Sequence, residues 1–123
     1  MELKQIYLQI EEQRDILVGL LNSKNPVSPN KLSDVCTKLA ILNGLLGDKI
    51  PALKVTQLEA EKTAWEAAKR NGASDTGANA TVRMATVKQR MEFETADVKH
   101  SDLWKLISMA QSHIRAEGEE RKS

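Results

Sequence analysis

The sequence is short of rings. Its 123 residues hold one Tyr, one Phe and two Trp, at Tyr7, Phe93, Trp65 and Trp104. A core this poor in aromatics and rich in Leu, Ile, Val and Ala suits packed helices better than a β-sandwich. A lone cysteine, Cys36, excludes an internal disulfide and predicts a reducing, cytoplasmic setting. No apolar run approaches the roughly 20 residues that span a bilayer. The opening Met1-Glu2-Leu3-Lys4-Gln5 lacks the profile of a signal peptide. Charge of one sign is missing too: 18 basic and 17 acidic residues leave a net charge of +1, which excludes a histone-like polycation.

Chemistry-bearing residues are equally sparse. His100 and His113 are the only histidines, and no HExxH, CxxC, GxSxG or phosphate-loop spacing occurs. Glu59/Glu61 and Glu92/Glu94 sit two apart and do not converge on a helix. With no convergent polar set, the sequence predicts no enzyme, no metal site and no cofactor.

What is present is helical periodicity, and the fold class it predicts is all-α. A first helix is expected over residues 2–21, with Leu3, Ile6, Ile10, Leu17 and Leu20 on one face. The cluster Asn22-Ser23-Lys24-Asn25-Pro26 stops it. Ser28-Pro29 then opens a second helix over 29–46. Its face is the broadest in the chain: Leu32, Val35, Cys36, Leu39, Leu42, Leu45 and Leu46. Gly47 reads as its C-cap, and Pro51 as the start of a third helix carrying Leu53, Leu58, Trp65 and Ala68. Gly72 to Asn79 reads as an exposed loop.

From Val82 a seam advances in alternating steps of four and three: Thr86, Gln89, Phe93, Ala96, His100, Leu103, Ile107, Ala110 and Ile114. A helix of about 38 residues would be about 57 Å long, too long for a globule with a radius of gyration of about 14 Å. Either it breaks at Lys99–Asp102 or the molecule is elongated. The expectation is a single helical domain over 1–123: two shorter N-terminal helices, an elongated hairpin over 51–117 ending in a long heptad helix, and a frayed tail at 118–123. An exposed seam is normally covered by other subunits. Val82, Phe93, His100, Leu103, Ile107 and Ile114 are therefore expected to form a homo-oligomer interface.

Basic charge gathers between Lys62 and Arg90, where six basic residues face two acidic ones. Lys62, Lys69, Arg70, Arg83 and Arg90 would meet near the tip of an antiparallel hairpin, in a strip about 10 Å long. Such a strip suits phosphate binding, and Trp65 is placed to stack on a base.

The run Leu58-Glu59-Ala60-Glu61-Lys62, the basic turn ending in Lys69-Arg70, the small polar loop and the long heptad helix with Trp104 resemble the recombination mediators of T-even phages, the UvsY family. The likeness spans roughly Leu53 to Arg115. It implies a non-enzymatic, homo-oligomeric protein of the host cytoplasm that binds single-stranded DNA through Lys62, Lys69 and Arg70. It also implies a recombinase or a single-strand-binding protein as further partners. The other function compatible with the residues is a helical protein-interaction module without DNA binding, such as an assembly scaffold, a chaperone or an inhibitor of a host factor.

Overall fold

The computed structural model describes residues 1–24 and 27–122, with side chains up to Ala116. It is all-α, with no strand among the described residues. The four helices are α1 (Leu3–Leu21), α2 (Pro29–Arg70), α3 (Asp75–Ala85) and α4 (Val87–Lys122).

Several boundaries differ from those read in the sequence. Gly47 does not end a helix and Pro51 does not begin one, because α2 runs through both. Proline lacks an N–H, so at position 51 it removes the bond that the Gly47 carbonyl would accept. Glycine at 47 offers no side chain to aggravate that defect. The helix ends instead at Asn71-Gly72. Gly72 adopts φ +85°, its N–H donates to the Lys69 carbonyl at 3.0 Å, and the Ala73 N–H donates to the Ala68 carbonyl at 3.1 Å. That pair of bonds closes the helix end with a left-handed residue, a conformation that favours glycine.

The expected loop over 72–79 shrinks to Asn71–Ser74. Ser74 caps α3, its Oγ accepting from the Gly77 N–H at 3.1 Å, and Asp75 sits in the first turn, where a negative charge is favoured. The long heptad helix is broken, at Thr86 and not at Lys99–Asp102. The Thr86 hydroxyl donates to the Val82 carbonyl at 2.7 Å, and the Arg90 guanidinium donates to the Arg83 carbonyl. Together they satisfy carbonyls at the end of α3 while the chain turns into α4. Beyond that turn α4 is continuous through Lys99–Asp102, and the tail expected over 118–123 lies outside the residues whose side chains are described. Asn25, Pro26 and Ser123 lie outside the described residues.

The contacts divide the chain into two compact units: residues 1–47 with 99–123, and residues 48–98. In the first, α1 and parts of α2 and α4 bury Ile6, Ile10 and Leu17, the face from Leu32 to Leu46, and Leu103, Ile107 and Ala110. The broad α2 face is buried as its spacing predicts. Asn43 lies within this core and donates through Nδ2 to the His100 carbonyl at 3.2 Å. A Cβ on Gly47 would stand 3.0 Å from His100 Nε2, so glycine here lets the imidazole lie against the α2 backbone.

The second unit is built differently. Its fully buried apolar side chains are three alanines, Ala68, Ala78 and Ala96, joined by buried Gln57 and Thr86. Gln57 donates to Glu61 Oε1 at 2.9 Å, leaving its own Oε1 unpaired, and Gln89 Oε1 is likewise buried without a partner.

Candidate functional site

The five basic residues are not equivalent in place. Lys62 and Arg70 stand exposed on the second half of α2, and Arg83 stands exposed in the last turn of α3. Lys69 is engaged twice: its Nζ pairs with Asp75 Oδ1 at 2.8 Å and lies 5.7 Å from the centre of the Trp65 ring. Arg90 is half-buried, with Nε enclosed and its guanidinium committed to the Arg83 carbonyl. The residue that meets Lys69 at the hairpin tip is therefore Asp75, not Arg83. Arg83 lies eight residues further along α3, about 12 Å by the helical rise. A continuous cationic strip through all five is not assembled. Lys62, Lys69 and Arg70 remain together over the last turns of α2.

The heptad seam is where the spacing puts it, but it is already covered. Every seam residue from Val82 to Ile114 is buried or half-buried within the single chain. Leu103 and Ile107 belong to the core of the first unit. Phe93 lies beneath the Lys54 ammonium, 4.7 Å from the ring centre, and His100 carries the contacts to Asn43 and Gly47. The seam is exposed on no helix here, which removes the premise that made Val82, Phe93, His100, Leu103, Ile107 and Ile114 an oligomer surface.

The outward surface carries what the inside of the second unit lacks. Val55 and Leu58 on α2, Met84 on α3, and Val87, Met91 and Val98 on α4 are all exposed. Leu58 is 51% exposed, Met91 60% and Val98 57%. In the first unit Leu8, Ile41, Trp104 and Met109 also face outward. Isolated exposed apolar residues need no explanation. Here, however, six of the larger apolar side chains are exposed, Leu53, Trp65, Val82 and Phe93 are half-buried, and the fully enclosed positions belong to alanine, glutamine and threonine. The signal was present in the sequence: Val55, Leu58, Lys62, Trp65 and Lys69 step by three and four, as a buried face would.

No group of three His, Cys, Asp or Glu is placed to hold a metal ion among the described residues. Cys36 is only 3% exposed, and burial pushes its thiol above the ordinary range, away from the thiolate that nucleophilic chemistry requires. No described helix is long and apolar enough to cross a membrane. In comparisons with family models, curated proteins and solved structures, nothing matches the chain.

Proposed function

We propose that the protein is a non-enzymatic helical interaction module whose partners are proteins. The observation that supports this is the inversion in the unit over residues 48–98. Its fully enclosed positions are alanines, Gln57 and Thr86, with Leu53, Trp65, Val82 and Phe93 half-buried, while Val55, Leu58, Met84, Val87, Met91 and Val98 face out. Apolar area left in water returns roughly 25 cal/mol per Å² when a partner covers it, and helices presenting apolar residues at three- and four-residue steps are a common docking element. A photo-crosslinking residue placed at Leu58 or Met91, in cells producing the protein, is expected to yield discrete protein adducts. Adducts to nucleic acid alone would overturn the proposal.

A second reading, binding of single-stranded DNA together with recombination proteins, is favoured by one observation. Lys62, Trp65, Lys69 and Arg70 share the end of α2, with the Lys69 ammonium over the indole. Anisotropy of a labelled oligo-dT at two salt concentrations tests it. Phosphate binding must fall steeply with salt, with a slope near −0.7 per neutralised phosphate on a single strand. Binding that the Lys69→Ala/Arg70→Ala double variant loses would establish this reading. Absence of binding at low salt would remove it.

A further inference from the structure

Two exposed stripes in the unit over residues 48–98 match each other. On α2, Leu58, Lys62, Trp65 and Lys69 advance by four, three and four. On α4, read against the chain, Val98, Glu94, Met91 and Val87 also advance by four, three and four. Laid antiparallel, Leu58 meets Val98, Lys62 meets Glu94, Trp65 meets Met91, and the stem of Lys69 meets Val87. Laid parallel, the steps match equally well, but Lys62 then meets Met91 and Glu94 meets Trp65, so it is the charge pair that selects the antiparallel arrangement. Lys62 lies between Leu58 and Trp65, and Glu94 between Met91 and Val98, so opposite charges sit at matching places; the second cation of the α2 stripe, Lys69, stands at its end and is paired with Asp75. The side chains of both stripes are exposed, apart from half-buried Trp65.

We infer that these stripes are two halves of one interface, and that the occupant of each is a second copy of this chain. This rests on the interaction-module reading and names its partner. The stripes cannot pair within one molecule. At 100° per residue, the α4 stripe lies about 180° from the seam residue Ala96, and the α2 stripe about 110° from Gln57. Both Gln57 and Ala96 are buried. The stripes therefore point in different directions, and each copy offers α2 to one neighbour and α4 to another. Such head-to-tail pairing closes into a ring or continues as a filament. The Lys62–Glu94 pair sets the register, as charges flanked by apolar contacts do between helices.

Charge reversal tests the pairing in solution. Both positions are exposed, so each variant is expected to keep the parent's helical circular dichroism. The parent is expected to associate in sedimentation velocity. Lys62→Glu and Glu94→Lys should each weaken association about tenfold or more. The Lys62→Glu/Glu94→Lys double variant should regain it. Mixing the two single variants should also regain it, because the introduced glutamate of one then meets the introduced lysine of the other, and the parental pair remains at the alternate junctions. A monomeric parent at about 100 µM, or single variants that associate as tightly as the parent, would overturn the inference. If the parent is monomeric while Leu58 and Met91 crosslink to a foreign protein, the self-pairing fails and the interaction-module reading stands.

Discussion

Two neighbouring glycines show how closely α2 is fitted. A Cβ at Gly44 meets nothing within 4 Å, whereas at Gly47 it meets the His100 ring at 3.0 Å. Gly44→Ala should therefore gain the helix propensity of alanine, about 0.5–1 kcal/mol. Gly47→Ala should fall short of that gain by the cost of moving the imidazole, of order 1 kcal/mol. Combining Gly47→Ala with His100→Ala should show a coupling in a double-mutant cycle by urea unfolding; strict additivity would refute the contact. Cys36 gives a second check. Its thiol is buried and held protonated, so native protein should resist alkylation that unfolded protein accepts. The linkage has a definite sign. Below the ordinary thiol range both states keep the proton and stability is unaffected. As pH rises through that range towards the higher folded value, the unfolded state ionises first and stability falls. The buried α2 face from Leu32 to Leu46 was legible in the sequence because its period was unbroken. The place of His100 against Gly47 was not, because a close approach leaves no mark in hydropathy.

At the scale of the elements, local chemistry is legible where a residue has one meaning and misleading where it has two. Glycine followed by proline four residues on resembles a helix end and a new start, yet packing along both halves of α2 carries the helix through Pro51. Ser74-Asp75 lies inside a stretch rich in small residues that reads as loop, although serine followed by an acidic residue is also how a helix begins. The break at Thr86 has no sequence signal beyond a β-branched polar residue on a seam that also carries Gln89 and His100. Gly72 is the junction with the least freedom. With φ at +85°, Gly72→Ala should destabilise the protein by about 1 kcal/mol in chemical denaturation, and an unchanged midpoint would contradict that geometry. Leu58 groups by spacing with the buried face of its segment and is exposed, because hydropathy marks a residue as apolar without saying which of two adjacent stripes a neighbour covers.

Over the whole molecule, apolar burial is uneven. The unit over residues 1–47 and 99–123 buries large aliphatic side chains, each contributing about 1.5–3 kcal/mol. The unit over residues 48–98 fully buries only alanines among its apolar residues. Ile107→Ala should accordingly cost about 2–5 kcal/mol, whereas Met91→Ala, at an exposed site, should cost little alone. Lysine at Leu103 or Ile107 should unfold the chain, since it would place a charge in a core. The sequence showed that the chain is helical and how its faces repeat. It did not show that the heptad seam is satisfied internally, because a period identifies a buried face without identifying what buries it. The function proposed here depends on residues 48–98 having little core of their own and apolar surface to spare. Amide hydrogen exchange of the dilute protein tests this directly. Protection should approach the global value in Ile6–Leu17, Leu32–Leu46 and Leu103–Ala110, and should be at least about tenfold weaker across α3 and the parts of α2 and α4 within residues 48–98. Equal protection throughout would contradict the account.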